Sequence, residues 1–481
     1  MPSISNLKPK KVFEFFELIS SVPHGSGNTD RISKLCCEFA RRRGLRHIQD
    51  ALGNVIIFKP ASAGYENHEL VIIQGHMDMV TVKTSDSDID LGLEGPRLRT
   101  DGKYLWADGT SLGADDGIAV AMIMALMDSD DIPHPPIEAI ITINEETGMD
   151  GAVFLDTSVL KGRRMINIDS EDEGIITVGC AGGARVYGQF DLKRTEGEYL
   201  TAKLTVSGLT GGHSGSEIQK GRANSNKLMG ELLHELCALQ NVHLVSLDGG
   251  EKDNAIANHS EAVIAFPADE AELVRHIAEA HGELIKLRIA STDPNAYVSF
   301  EILGSGVISV ADDESAASVI SAMCRVPDGV QTMSADIEGL VETSLNFGVL
   351  STEGNTVSMT FCLRSSVKLE KEGLIKLVSD VIVDCGGTAD CGSEYPAWEY
   401  RKDSPLRDAV VNAFSAQYGR APVINVIHAG LECGLFSSKI DGLDCVSIGP
   451  DIHDIHTVNE KLDIASTART WTLLLNILKD L

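Results

Sequence analysis

The chain is organised around the stretch Val71-Ile72-Ile73-Gln74-Gly75-His76-Met77-Asp78. An apolar run that ends in His-x-Asp predicts a buried strand with two metal-binding side chains at its end. Because side chains alternate between the faces of a strand, His76 and Asp78 project in the same direction and can meet at one site. An imidazole is a good ligand for zinc-like ions, and the neighbouring carboxylate can orient the ring or bind metal itself. The alternative is a surface loop of polar residues.

Composition narrows the class of protein. A chain of 481 residues, 43% of them hydrophobic, predicts a globular protein with two domains. The net charge of −29 argues against binding to nucleic acid or to anionic membranes, since both need clustered basic residues. Ten scattered cysteines without a Cys-x-x-Cys pair do not form a disulfide framework. Residues 1–11 lack an apolar signal segment and no apolar run has membrane-spanning length, so we expect a cytoplasmic protein.

Three further strand-like runs end in polar side chains of the same kind. Residues 137–143 are followed by Asn144 and the pair Glu145-Glu146, and residues 165–168 lead directly to Asp169. The run 444–448 is followed by two histidines, His453 and His456. In an open α/β sheet, sites form outside the carboxyl ends of the strands, so these groups are expected at one edge. A solvated turn is the alternative for any one of them alone.

A loop rich in glycine and aspartate supplies another candidate. Asp115 and Asp116 precede the apolar, helical stretch 118–127. Aspartate is favoured at a helix N-terminus, so capping alone can explain both residues. The second possibility is that Asp115 faces the same sheet edge. One bridging carboxylate between His and carboxylate ligands suits two divalent metals that share a water, with a free carboxylate as proton carrier. That chemistry is hydrolysis of an amide or ester.

The middle of the chain differs in character. Residues 182–395 combine alternating strand patterns with helical patterns, which predicts an inserted α+β domain with an antiparallel sheet. The flanking residues 1–181 and 396–481 then form one α/β catalytic domain with a mixed, mainly parallel sheet. Within the insertion, Gly211-Gly212-His213-Ser214-Gly215 predicts a backbone bend that exposes His213, although an ordinary glycine-rich turn fits the same pattern.

Together these stretches resemble the M20 family of metallopeptidases, and most closely its aminoacyl-histidine dipeptidase branch. The resemblance spans nearly the whole chain, in family order, and implies a zinc-exopeptidase-type catalytic domain. It is carried by six motifs: Gly-His-Met-Asp-Met-Val (75–80), Gly-Ala-Asp-Asp-Gly-Ile-Ala (113–119), Asn-Glu-Glu-Thr-Gly (144–148), Asn-Ile-Asp-Ser-Glu (167–171), Gly-Gly-His-Ser-Gly (211–215) and His-Ala-Gly-Leu-Glu-Cys-Gly (428–434).

The resemblance implies a ligand set for two divalent metal ions. Asp115 would bridge them, His76 and Asp169 would complete one position, and Glu146 with a C-terminal histidine would complete the other. The family pattern places that histidine before Ser or Thr, which favours His456 over His453. Zinc is the expected metal, and manganese or cobalt suits the same ligands.

The resemblance also implies roles around the metals. Glu145 would act as general base and acid, and Asp78 would hold the second ring nitrogen of His76. His213 would stabilise the oxyanion or bind the substrate's C-terminal carboxylate. Arg364 resembles a lid residue that contacts the same carboxylate, since an arginine fork suits carboxylates; a surface salt bridge is the alternative.

Two departures bear on substrate preference. The family segment Asn-Ala-Ile-Pro-Arg begins here at Asn254 but lacks the Pro and Arg, and the family's Pro-Gly-Trp reads Pro-Ala-Trp at 396–398. Asn254 begins the first of these segments, and His428 and Glu432 lie in the motif 428–434, so the resemblance implies substrate or supporting roles for these three residues.

The expected activity is that of a cytosolic dizinc dipeptidase, acting on Xaa-His and other dipeptides, that dimerises through the inserted lid domain. The alternatives are an M20 tripeptidase, carboxypeptidase or N-acyl amino acid deacylase, or an inactive relative that binds peptides.

Overall fold

A computed structural model describes residues 4–239 and 241–481. The chain forms two compact units. The first comprises the residues up to Cys180 together with Tyr400–Val426 and Leu431–Leu481, and the second comprises Ala181–Glu399 and Ile427–Gly430. In the described part of the chain, none of the helices combines the length and apolar character needed to cross a membrane.

The first segment supplies most of the first unit. Its helices are α1 (Lys10–Ile19), α2 (Asp30–Arg42), α3 (Ala114–Asp128) and α4 (Asp150–Phe154). Its strands are β1 (Arg46–Gln49), β2 (Val55–Lys59), β3 (Val71–His76), β4 (Leu98–Thr100), β5 (Tyr104–Ala107), β6 (Ile137–Thr142), β7 (Arg164–Asn167) and β8 (Ile175–Cys180).

The second unit follows in the chain. Its strands are β9 (Gly182–Asp191), β10 (Arg194–Ser207), β11 (Gly212–His213), β12 (His243–Gly249), β13 (Ala255–Ile256), β14 (Ser260–Phe266), β15 (Tyr297–Ala311), β16 (Gly329–Met333), β17 (Val341–Glu353), β18 (Thr356–Ser365) and β19 (Thr388–Tyr395). Its helices are α5 (Ser225–Cys237), α6 (Ala271–Ile289), α7 (Asp313–Arg325) and α8 (Lys368–Asp384).

The last segment returns to the first unit. It contains the helices α9 (Pro405–Tyr418), α10 (Glu432–Lys439) and α11 (Ile464–Asp480) and the strands β20 (Val423–Ile427), β21 (Asp444–Ser447), β22 (Ile452–His453) and β23 (Lys461–Asp463).

The main sheet of the first unit is mixed, which confirms the predicted fold class. Its strand order is β1-β2-β6-β3-β7-β21-β8-β20. The central strands β6, β3, β7 and β21 pair in parallel, and the pairs β1-β2, β2-β6 and β21-β8 are antiparallel. Every residue of β3 and β6 is buried, as expected for strands covered on both faces.

Helix α3 is buried on all sides, and its start departs from the capping interpretation. Gly113, in the left-handed region at φ 74°, precedes it, and Asp115 has φ −83° and ψ 104°, outside the helical range. Asp115 therefore does not act as the N-cap, and its side chain is available for other contacts. A smaller sheet of order β22-β23-β5-β4 lies in the same unit and includes the antiparallel pair of β4 and β5.

The second unit is built on an antiparallel sheet of order β15-β10-β14-β12-β17-β18-β9-β19, with β16 paired to β17. Side chains of the sheet and of α5–α8 share one hydrophobic core that includes Leu232, Phe266, Phe347 and Val378. A short antiparallel pair of β11 and β13 carries His213 opposite Ala255.

Candidate metal centre

Five side chains from distant parts of the chain meet at the carboxyl edge of the parallel strands. The Asp115 carboxylate lies between two imidazoles, with Oδ1 3.2 Å from Nε2 of His76 and Oδ2 3.0 Å from Nε2 of His456. Asp169 Oδ1 lies 3.4 Å from Nε2 of His76, and Glu146 Oε2 lies 3.0 Å from Nε2 of His456. The arrangement therefore consists of two His-carboxylate groups that share Asp115.

The C-terminal histidine of this cluster is His456. His453 lies in β22, where its ring packs edge-on against Tyr104 at a centroid distance of 5.8 Å. Among the described residues, three groups of side chains could each hold a metal ion, because the possible ligand atoms within each group lie within 4.8 Å of one another. The groups are His76 with Asp116 and Asp169, His76 with Glu145 and Glu146, and Asp115 with Glu146 and His456. The first set includes Asp116, to which the sequence analysis gave no role beyond the helix start.

The cluster concentrates negative charge in a buried place. Burial raises the pKa of Glu145 and Asp116 well above the usual carboxyl range, and it raises the pKa of Asp169 to about 6. Hydrogen bonds to Asp115 and Glu146 raise the pKa of His456 to about 10. Burial opposes the charged form of His76, yet the carboxylates around it raise its pKa well above the usual range. In both imidazoles a proton supplies the positive charge that the carboxylates require.

These residues fit divalent metal ions. Nitrogen and carboxylate donors at this density are the ligands of zinc-like ions, and a cation would neutralise charges that otherwise repel each other. Glu146 Oε1 is buried and has no hydrogen-bond partner among the described residues, so one oxygen has a lone pair left for a ligand.

The second ring nitrogen of His76 lies against Asp78, and its shorter contact is with the backbone oxygen. Nδ1 lies 3.0 Å from the backbone oxygen of Asp78 and 3.5 Å from its carboxylate, so the hydrogen bond goes to the carbonyl. The Asp78 carboxylate instead accepts from Ser26 Oγ at 2.7 Å and from the backbone N–H groups of Glu145 and Glu146 at 3.0 and 3.4 Å. Asp78 thus holds the turn that carries the Glu pair, while its carbonyl fixes Nδ1–H and leaves Nε2 of His76 towards Asp115.

A chain of buried polar groups lies behind the centre. Gln74 Nε2 and Thr142 Oγ1 each donate to Glu432 Oε2 at 2.6 Å, and Asn167 Nδ2 donates to Gln74 Oε1 at 2.6 Å. The amide of Asp169 completes the chain by donating to Asn167 Oδ1 at 3.3 Å. Glu432 has no exposed surface, so this predicted substrate residue occupies an interior position behind the strands.

Sequence reasoning missed two parts of the centre. Gln74 lies inside the motif that opened the analysis, yet nothing in its neighbourhood marks its partner Glu432, 358 residues away. Glu460 is 3% exposed and accepts hydrogen bonds from the backbone amides of residues 112–115. A carboxylate in the turn after His456 was the available signal, but a single Glu in a polar turn is too common to single out.

The other predicted site residues belong to the second unit. His213 is exposed, and its Nδ1 accepts hydrogen bonds from the amides of Gly215 at 3.2 Å and Ser216 at 3.1 Å, which leaves the proton of the neutral ring on Nε2. Asn254 is half-buried, and its backbone carbonyl accepts a hydrogen bond from the amide of Ser214 at 2.9 Å.

Arg364 is the charged group of this second cluster. It is 8% exposed, and its Nη1 donates to Tyr395 Oη at 3.1 Å. His428 Nε2 lies 2.7 Å from Ser344 Oγ. Burial and then the Arg364 charge lower the pKa of His428 to about 4, and the same two causes lower the pKa of His213. Both rings are therefore neutral near pH 7, and the guanidinium supplies the positive charge.

The chain is similar to several known proteins along its whole length. The chain is 34% identical to the cytosol non-specific dipeptidase of Escherichia coli K12, over 100% of this chain and 99% of that protein. It is similar to the crystal structure of aminoacylhistidine dipeptidase from Vibrio alginolyticus, with a TM-score of 0.93 and 36% identity, covering 99% of this chain and 98% of the other. The aminopeptidase PepT from Bacillus cereus shares the fold, with a TM-score of 0.57 and 16% identity over 98% and 99% of the two chains.

The sequence profile of "Peptidase family M20/M25/M40" matches residues 72–480, a range that includes all of the motifs quoted above. The resemblance inferred from those motifs is confirmed: this chain belongs to the M20/M25/M40 family of peptidases.

Proposed function

We propose that this protein is a dipeptidase with a two-metal centre, acting on Xaa-His and other dipeptides. The observation that carries the proposal is the Asp115 carboxylate, whose two oxygens face two different histidines at 3.2 and 3.0 Å. The substrate class is supported by the two full-length relatives, one named a non-specific dipeptidase and the other an aminoacylhistidine dipeptidase.

Each residue of the centre has a distinct task. His76 and Asp169 would hold one ion, Glu146 and His456 would hold the other, and Asp115 would contact both. Two divalent ions, when bound there, supply Lewis acidity for the scissile carbonyl and for the attacking water. Zinc suits the mixture of imidazole and carboxylate, and manganese or cobalt is compatible with the same donors.

Glu145 is the proposed proton carrier. Its backbone N–H donates to Asp78 Oδ1 at 3.0 Å, which fixes the turn, and its carboxyl group lies within 4.8 Å of the ligand atoms of His76 and Glu146. Burial raises its pKa well above the usual carboxyl range, which brings a carboxyl group closer to the operating pH of a general base. Glu145 would take the proton of the attacking water and return it to the leaving amine.

The second unit would supply substrate binding. Nε2–H of His213 is a hydrogen-bond donor suited to an oxyanion or a carboxylate, and the Arg364 guanidinium suits the C-terminal carboxylate of a dipeptide. The lid role of residues 182–395, their use in a homodimer, and a cytoplasmic location are part of the same proposal. The name of the Escherichia coli relative, a cytosol dipeptidase, supports the location.

A substrate panel tests the function. We would assay the protein, with and without chelator, on Ala-His, β-Ala-His, Leu-Gly, Ala-Ala-Ala and N-acetyl-Met. Chelator-sensitive cleavage of the dipeptides, restored by zinc, manganese or cobalt, is the expected result. Cleavage of the acetylated amino acid or the tripeptide without any dipeptide would contradict the proposal and indicate a deacylase or tripeptidase. Activity that does not depend on metal would contradict the proposed two-metal centre.

A further inference from the structure

A carboxylate outside the predicted ligand set binds the loop that carries Asp115. Glu460 Oε2 accepts from the amides of Leu112 at 2.8 Å and Gly113 at 3.1 Å, and its Oε1 accepts from Ala114 at 2.8 Å and from Asp115 at 3.4 Å. Four consecutive backbone donors thus converge on one side chain that is 3% exposed. So many amides on one carboxylate fix a backbone segment far more tightly than a single capping bond does.

The local backbone explains why the loop needs this partner. The first N–H groups of a helix lack intrahelical acceptors, and the N-terminus attracts negative charge. Here Gly113 is left-handed at φ 74°, and no side chain next to it in sequence caps α3. The cap is supplied from a residue 345 positions away, which frees the Asp115 side chain for the histidines.

Glu460 also belongs to the turn that carries the opposite ligand. His456 lies in the left-handed region at φ 61°, a conformation that needs support from its surroundings. Thr457 Oγ1 donates to the carbonyl of Asp454 at 2.7 Å and accepts from the amide of Asn459 at 3.0 Å, and the amide of Glu460 donates to the carbonyl of Thr457 at 3.3 Å. One carboxylate therefore joins the two loops whose ligands, Asp115 and His456, lie 3.0 Å apart.

We propose that Glu460 is a positioning residue that sets the separation of Asp115 and His456 and thereby the affinity of the metal position formed by Asp115, Glu146 and His456. The inference rests on the proposed two-metal centre. Glu460 itself contacts neither substrate nor metal; it acts through the loop it binds. The other position shares Asp115, but its remaining ligands, His76 and Asp169, lie at strand ends that Glu460 does not contact, so Glu460 should affect it less.

The test is metal binding by E460Q. Glutamine keeps the size of the side chain but places an NH₂ group against two backbone N–H groups, so two of the four bonds are lost. In calorimetric titrations of the chelated protein with zinc, we expect wild-type protein to bind two ions. We expect E460Q to bind the ion at Asp115, Glu146 and His456 about 10- to 100-fold more weakly, the usual effect of losing a ligand-supporting contact, and to show a clearly smaller loss for the ion at His76 and Asp169. The visible spectrum of the cobalt-loaded protein should change in the same step of the titration.

The matched control is E138Q. Glu138, in β6 and 2% exposed, also accepts backbone bonds, from Lys161 at 3.0 Å and Gly162 at 3.1 Å, but it holds no ligand loop. We expect E138Q to lower thermal stability and to leave both metal affinities within twofold of wild type. If E460Q does not fold, E460D serves instead, since its shorter side chain draws the carboxylate away from the same amides and should weaken the same ion.

Two results would overturn the inference: equal affinity for both ions in E460Q and wild type, or an equal loss in E138Q. Wild-type protein that binds a single ion would overturn both the inference and the two-metal centre. The titrations need no substrate, so failure of the proposed dipeptidase activity is a separate result. A protein that binds two ions, cleaves no dipeptide and shows selectively weaker binding of one ion in E460Q would support the positioning role but not the dipeptidase activity.

Discussion

Replacement of Glu432 by glutamine should make the metal-free protein more stable at neutral pH. Glu432 has no exposed surface, and its Oε1 has no hydrogen-bond partner among the described residues. Burial, reinforced by the charges of Asp169 and Asp78, raises its pKa from 4.5 to about 8, against the opposing effects of His76 and the Thr142 hydrogen bond. The E432Q side chain has nearly the same shape, keeps an acceptor for Gln74 and Thr142, and cannot ionise.

The magnitude and sign follow from the two pKa values. The folded protein holds this proton up to about pH 8, whereas the unfolded chain releases it near pH 4.5, so the folded state binds more protons in between and stability falls as the pH rises. At about 1.4 kcal/mol per pH unit, the loss is roughly 5 kcal/mol between the acid and alkaline limits and about 3 kcal/mol at pH 7. E432Q lacks this loss.

The assay is urea unfolding of chelated wild-type and E432Q protein from pH 5 to pH 8. The two free energies of unfolding should agree near pH 5 and differ by about 3 kcal/mol in favour of E432Q at pH 7. Other buried carboxyl groups change the free energy of unfolding of both proteins with pH in the same way. The difference between the two free energies therefore reports on Glu432 alone. E138Q should instead be less stable than wild type throughout, because an NH₂ group would face backbone N–H donors. A difference between wild type and E432Q that does not change with pH would refute the reasoning.

Three more outcomes test the centre. The E145Q variant should lower kcat by about 10²- to 10⁴-fold with metal content and fold intact, measured by dipeptide hydrolysis and metal analysis, and near-normal turnover would exclude Glu145 as the base. Metal binding should release protons and become stronger as the pH rises, because His456 has a pKa of about 10 without metal and must lose its proton to bind the ion. Calorimetric titrations in two buffers of different ionisation enthalpy would measure the protons released. Uptake of protons on metal binding would contradict the prediction. The R364A variant should lower kcat/KM for dipeptides by about 10- to 100-fold with unchanged metal affinity, and R364K should not restore it; loss of metal affinity would contradict a substrate role.

The residues of the candidate metal centre could be predicted because each follows a local pattern. An apolar run that ends in His76 or Asp169 is a strand with a polar end, and parallel strands bring such ends to one edge. Asp115 required one further inference, that a residue at a helix start faces that edge. Sequence order alone left the helix-capping alternative open for it, and only the backbone at φ −83° and ψ 104° removes that alternative.

The supporting contacts could not be predicted, because they join residues with no shared pattern. Glu460 and Asp115 are 345 positions apart, and Glu432 and Gln74 are 358 apart. A buried carboxylate is unfavourable unless partners satisfy it, and those partners are defined only once the chain has folded. The same holds for the Asp78 carboxylate: it lies 3.5 Å from the imidazole with which the sequence paired it, but its hydrogen bonds from two backbone amides have no signal in the sequence.

Protons and metal ions would compete for the same carboxylates, and this competition links the stability of the fold to metal binding. Without metal, burial raises the pKa of Glu145 and Asp116 well above the usual range, so these groups favour the protonated form and the folded state loses stability as the pH rises. A bound cation favours the ionised form of the carboxylates and requires neutral His76 and His456, so the metal contribution to stability grows over the same pH interval. The two dependences have opposite signs. The gain in stability on adding metal should therefore be smallest under acid conditions and increase steadily towards alkaline pH.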